Sequence, residues 1–185
     1  MARLPIPQAP LMTAEQLLDL PDDGLRHELV EGTLRTMTPA GGHHGRISAR
    51  LLLRIGTFVE ARQLGEVFAA ETGFWLRRDP DTVRAPDVAF VRADRAPDAR
   101  VAGFVPLVPD LAAEVVSPND RAVEVAGKAL SWLDAGVRLV WVVDPENRTV
   151  TVYRPDGVGV LRGRDVLPGE DVLPGFALPL SELWP

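Results

Sequence analysis

Two acids and one cation carry the chemistry that this sequence offers. In DLAAEVV, residues 110–116, strand alternation puts Ala112, Glu114 and Val116 on one face and Leu111, Ala113 and Val115 on the other. Both faces are apolar except for the glutamate. An ionised carboxylate in that setting is costly to bury unless it is paired or ligates a metal. In APDVAFV, residues 85–91, Asp87 shares a face with Ala89 and Val91 at the start of a strand. A salt bridge or a strand end in water would account for either acid taken alone. The cation is Lys128, the one lysine in a chain whose Lys plus Arg total is 20. Glu124 stands four residues before it, in the favoured orientation for a helical pair contributing ~0.2–0.5 kcal/mol. Arginine would make that pair equally well. What arginine does less well is act as a compact point charge beside a metal-bound water or a phosphate.

The elements that must position these groups follow from pattern. Thr13 opens TAEQLLDL with Gln16 three residues on, a capping-box spacing that predicts a short helix to about Leu20. HELVEGTLRTM reads as a hairpin around Glu31-Gly32, with Glu28 and Glu31 as surface acids on or beside it. A long helix is expected from about His43 to Arg62, its apolar stripe being Ile47, Leu51, Ile55 and Phe58/Val59. His43, Arg46, Arg50 and Arg54 recur at spacings of three and four as a basic stripe. Such a stripe is either a solvated face or a means of positioning phosphates. EVFAA, TGFWLRR and APDVAFV predict three successive strands, and an excursion rich in proline and aspartate leads to the strand DLAAEVVS. SPND then opens a helix to about Ala135, and VRLVWVVD and TVTVYRP are further strands. The tail repeats DVLPG, read as two Pro-Gly turns. The order and the near-continuous apolar LVWVV predict a mixed sheet flanked by helices.

Bulk properties narrow the function. A chain of 185 residues is most simply one domain, here residues 13–185 behind a proline-stiffened flexible arm, residues 1–12. With no cysteine, disulfides, thiolate zinc sites and cysteine nucleophiles are excluded. No signal-peptide pattern or membrane-length apolar run occurs, so a cytoplasmic protein without a membrane partner is expected. The net charge of -6 argues against a nonspecific nucleic-acid coat, but not against an acidic site bridged to DNA by metal ions.

RAPDVAFV, LAAEVVSPND, Lys128 and DAGVRLVWVVDP, in that order, resemble the Uma-two family of predicted bacterial endonucleases. HELVEGTL, PAGGHHGRIS and LPGFALPLSEL extend the resemblance over roughly residues 13–184. It implies a restriction-endonuclease-like fold of the PD-(D/E)XK superfamily, an α/β (α+β) core with a mixed central sheet, a flanking N-terminal helix and a hairpin. It also implies a metal-dependent DNA endonuclease. In that light Asp87 and Glu114 resemble the metal-binding acids, with Mg²⁺ or Mn²⁺ as the cofactor. The commoner superfamily pattern has a lysine two residues after the second acid, where this chain has Val116. The Uma-two pattern takes it from the next helix, which matches Lys128. Glu28 matches the family's acid in the hairpin. His44 matches the histidine opening the long helix, with His43 as the competing register; on the phosphate-positioning reading of the basic stripe, Arg46 and Arg50 would contact substrate beside it. A homodimer would suit cutting two strands. The alternative of another class is a nucleic-acid or protein-binding module that keeps the fold without catalysis.

Overall fold

In the computed structural model, residues 10–98 and 100–184 are described; most of the expected arm, residues 1–9, lies outside them. Helix α1 (Ala14–Leu18) begins at the expected capping box, with the Thr13 side chain accepting from the Gln16 amide and the Gln16 side chain accepting from the Thr13 amide. Strands β1 (Arg26–Val30) and β2 (Thr33–Met37) form the hairpin. Its turn residues both take positive φ, 50° at Glu31 and 73° at Gly32, the backbone hand that matches the twist of the flanking strands. Helix α2 (Gly42–Arg62) follows. Next come β3 (Gly65–Ala69), β4 (Phe74–Arg77), β5 (Thr82–Arg84) and β6 (Val88–Arg92). Strand β7 (Leu111–Val115), helix α3 (Ala122–Asp134), and strands β8 (Leu139–Asp144) and β9 (Thr149–Arg154) complete the centre. Beyond them lie β10 (Gly157–Arg162), β11 (Val166–Pro168) and β12 (Ala177–Pro179).

Where three successive strands were expected after α2, four occur, and they divide between two sheets. Strands β4 and β5 join the hairpin in a four-stranded sheet of order β2-β1-β5-β4, while β3 and β6 enter a six-stranded sheet of order β10-β9-β8-β7-β6-β3. Of the tail's DVLPG doublet, the first copy supplies β11 and the second lies in the loop to β12, with which β11 forms a third, two-stranded sheet.

The six-stranded sheet is antiparallel except for β7 and β8, which run parallel. A parallel neighbour needs a crossover, and α3 supplies it. The two faces of β7 therefore have different cover. Leu111, Ala113 and Val115 pack with Ile47, Leu51, Ile55 and Val59 of α2, in a cluster sealed by Leu167, Leu173 and Phe176 of the C-terminal segment. Ala112 packs with Ala129 and Trp132 of α3. Glu114 shares that α3 face, as alternation requires, and meets whatever α3 carries. The second sheet rests against the same end of the core, so that β1 reaches the neighbourhood of Lys128.

Candidate active site

Five separate elements deliver a titratable side chain to one end of the six-stranded sheet. Pro86 ends the run into β6, and Asp87 stands just before the strand. Since Val88 faces Ala113 across the antiparallel pair, one more step of register sets Asp87 opposite Glu114. The Asp87 side chain continues the ladder past its last backbone partner. Its Oδ2 accepts the Val115 amide at 2.7 Å, while its own amide donates to the Ala113 carbonyl at 3.0 Å. The acid is thus locked at the strand junction, 4% exposed. From the N-terminal turn of α2, His44 brings Nε2 within 3.1 Å of the same Oδ2. His43 is exposed on the neighbouring position, so the histidine directed inward is His44.

Lys128 lies between two glutamates. Its Nζ is 3.0 Å from Oε2 of Glu114 and 3.0 Å from Oε1 of Glu28. Glu124, the partner that would have made this lysine an ordinary surface residue, pairs instead with Arg121 at 3.7 Å. One helical turn after Lys128, Trp132 donates its indole N–H to Oε1 of Glu114 at 2.8 Å. Positions i and i+4 share a face, so α3 holds Glu114 with one cation and one neutral donor. Glu28, 3% exposed, also accepts from Arg84 at 3.0 Å and from the Ala85 amide at 3.2 Å. The pairing of Leu29 with Val83 explains that contact, because it makes Glu28 and Arg84 cross-strand neighbours.

The surroundings set the protonation states. Burial pushes the Glu114 carboxyl up to about 7, opposed by Lys128 and reinforced by Asp87 and Glu28. For Asp87 burial also acts upward, but the His44 hydrogen bond and charge, the Val115 amide and Lys128 outweigh it and hold the carboxyl below its ordinary value. The Asp87 bond in turn raises His44 against the effect of burial. Burial pulls Lys128 down, yet Glu114 and Glu28 more than compensate, and the ammonium stays charged.

The donor set suits a hard divalent cation. Of the six oxygens on Glu28, Asp87 and Glu114, Oδ1 of Asp87 accepts no hydrogen bond; its nearest cation is Arg26 at 3.8 Å. An ionised carboxylate offers about four lone-pair sites, so Glu114 keeps acceptor capacity beside Lys128 and Trp132. Among the described residues no three His, Asp or Glu side chains converge on one point. Mg²⁺ is commonly held by one or two carboxylates, with water and substrate phosphates completing the octahedron. Asp87 and Glu114, opposite each other across the β6–β7 pair, are the two acids that could serve in that way.

The sequence-derived candidates do not all meet here. Asp87, Glu114, Lys128, Glu28 and His44 come together. Arg46 is exposed on α2. Arg50 is turned away, donating to the carbonyls of Leu183 and Trp184 at 3.3 and 2.6 Å, and Arg54 pairs with Glu182 at 3.0 Å. The expected phosphate stripe therefore holds the C-terminal segment at two of its positions. Three participants escaped notice: Trp132, Arg84 and Arg26. Of these only Trp132 carried a usable signal, its i+4 spacing from Lys128.

The sequence profile of the Uma2 family, described as "Putative restriction endonuclease", matches residues 14–181. The chain belongs to that family. Among solved structures, it is similar to a "putative nuclease belonging to DUF820" from Anabaena variabilis, with a TM-score of 0.82 and 24% sequence identity over 94% of this chain and 97% of that one. At that identity the likeness speaks for the fold alone. No curated protein matches the Uma2 chain. No helix among its described residues is long and apolar enough to cross a membrane.

Proposed function

We propose that this Uma2 protein is a metal-dependent DNA endonuclease with Asp87, Glu114, Lys128 and Glu28 as its catalytic group. The observation that carries the reading is the position of Lys128, 3.0 Å from buried Glu28 and from half-buried Glu114, which faces Asp87 across the β6–β7 junction. Asp87 and Glu114 would hold Mg²⁺ or Mn²⁺. When bound, such a cation lowers the pKa of a coordinated water and neutralises a nonbridging phosphate oxygen. The chain's own groups do the remaining work. Lys128 opposes the effect of burial on Glu114 and presents fixed positive charge where negative charge develops at phosphorus. Trp132 fixes the Glu114 carboxylate in one orientation. Glu28 anchors Lys128, and Arg84 keeps Glu28 in place. His44, tied to Asp87, faces substrate rather than acting as sole base.

The test compares wild type with Asp87→Ala on supercoiled plasmid and single-stranded DNA, with Mg²⁺ and with Mn²⁺. Metal-dependent nicking by wild type that vanishes in the variant supports the reading. Nicking that survives in folded Asp87→Ala overturns the assignment of Asp87. A second reading, a nuclease-fold binding module without catalysis, is favoured by one observation: both Glu114 oxygens are already engaged by Lys128 and Trp132. Nucleic-acid binding without metal-dependent nicking would select it.

A further inference from the structure

Most of the arginines around the site have settled partners. Arg84 is committed to Glu28 through its NH1 at 3.0 Å, though its buried Nε has no partner among the described residues. Arg95 closes on buried Asp110 at 2.6 Å and on the Val108 carbonyl at 2.8 Å. Arg26 is different. Its side chain is only 17% exposed, yet its one hydrogen bond is a long one, 3.3 Å to the Ala85 carbonyl. Its NH1 stands 3.8 Å from Oδ1 of Asp87, beyond hydrogen-bonding reach. Its Nε lies 3.1 Å from Glu71, whose own side chain is 68% exposed. A guanidinium has five N–H donors in a planar fork, and among the described residues most of them have no partner beside a cavity of about 540 Å³ that Arg26, His44, Ser48 and Asp87 line together.

We propose that Arg26 is the residue that grips a backbone phosphate of the nucleic-acid strand entering this cavity. The proposal rests on the nuclease reading for its substrate class and extends it to a residue that reading does not use. A phosphodiester offers the two nonbridging oxygens that a guanidinium fork matches. The cavity is large enough for one nucleotide unit. Asp87 and His44 stand on its wall, so a strand held by Arg26 passes the acid proposed to bind metal. Glu71 occupies the fork in the free protein. An ion pair with so exposed a carboxylate is weak, and a phosphate that brings the same charge with better geometry displaces it. Glu71 then acts as a placeholder that keeps the guanidinium extended toward the cavity.

The test is binding of a fluorescently labelled single-stranded oligonucleotide to the full chain in EDTA, where cleavage is silent, over a series of salt concentrations. Arg26→Gln is expected to weaken binding several-fold and to make the plot of log affinity against log salt shallower by about 0.7, one phosphate contact on a single strand. Glu71→Gln is expected to tighten binding. In the double variant that gain disappears, since a general change in surface charge would persist. A folded Arg26→Gln with wild-type affinity and slope overturns the proposal, as does a Glu71→Gln gain undiminished in the double variant. If Arg26→Gln does not fold, Arg26→Lys carries the test: the charge is kept and the fork lost, so the slope should hold while affinity falls, and unchanged affinity overturns the proposal. Arg26-dependent binding without any metal-dependent nicking would bring down the nuclease reading and leave this one standing. A wild type that binds no nucleic acid in EDTA would bring down this proposal and leave the nuclease reading to the nicking test.

Discussion

Helices α2 and α3 lie on opposite faces of the same sheet; α2 carries arginines at helical spacing and α3 one cation, Lys128, and the two helices use their charges for different ends. On α3, Lys128 points at the face of β7 that bears Glu114, and the helix adds Trp132 on the same side. On α2, the cations Arg50 and Arg54 meet the carbonyls and the carboxylate of the C-terminal segment, residues 180–184. Only His44, in the first turn of α2, reaches an acid of the site. Helical spacing alone thus says that a stripe exists, while the surface opposite decides what the stripe does. A buried acid opposite gives a candidate catalytic cation. Backbone carbonyls opposite give a clamp.

The sharpest way to break this contrast is at Lys128. Lys128→Met leaves Glu28 and Glu114 facing each other without their shared cation. Removing one partner of a buried pair costs on the order of 3 kcal/mol, and losing one fixed positive charge from a transition-state site costs about 10²–10³ in rate. We expect nicking to fall by at least that factor and the urea midpoint to drop in the same variant. A folded Lys128→Met with near-wild-type nicking would make the lysine structural and erase the difference between the helices.

Trp132→Phe should have a smaller and more specific effect. It keeps the aromatic packing and deletes the 2.8 Å bond to Glu114, a loss of ~1–3 kcal/mol where the acceptor is charged. A carboxylate deprived of a donor holds its proton more tightly. The carboxyl already sits at about 7, so the pH at which activity rises should move further to the alkaline side, with a roughly tenfold loss near neutrality. An unchanged pH profile would reduce Trp132 to a packing residue.

Much of the fold was legible because its signals are local. The capping box at Thr13, the positive-φ pair Glu31-Gly32 and the 3.6-residue stripe of α2 each act within a few residues. Strand partition was not legible. Thr82–Arg84 is three residues long with Val83 as its one buried side chain, too short for alternation to register, and its place beside β1 depends on contacts fifty residues away. GVGVLR, which became β10, carries two glycines and mostly exposed positions, features that weigh against a strand. At the site, Asp87 and Glu114 could be singled out because acids on apolar strands must be compensated. Their compensators were harder to see. Arginine is so abundant here that Arg26 and Arg84 carry no signal by type, and a tryptophan on an apolar helix face looks like core, which Trp132 also is.

Glu114 predicts a pH effect on stability whose sign follows from its raised carboxyl. The folded state holds this proton up to about 7, whereas the ordinary value is 4.5. The folded protein therefore binds more protons than the unfolded chain in that interval, and this residue's contribution, fully present below 4.5, is lost as pH rises through about 7. Glu114→Gln should flatten that part of the stability curve. A divalent cation competes with the same proton, so stabilisation of the wild type by Mn²⁺ should grow between pH 6 and 8. A Mn²⁺ shift in melting temperature that is the same at both ends would separate Glu114 from the metal.

The smallest effect is expected on the other helix, and it is the one that completes the contrast. Arg50→Gln removes a charged donor from the carbonyls of Leu183 and Trp184 while leaving Ile47 and Leu51, its core-facing neighbours on α2, untouched. The loss should be about 1–2 kcal/mol, seen as a lower urea midpoint at unchanged slope, because the surface exposed on unfolding is the same. Metal-dependent nicking per folded molecule should equal that of wild type. If nicking falls while stability holds, Arg50 contacts substrate after all, and the C-terminal segment must move aside to let it. Stability loss with full activity fixes the stripe on α2 as a clamp and leaves α3 as the helix that carries the chemistry.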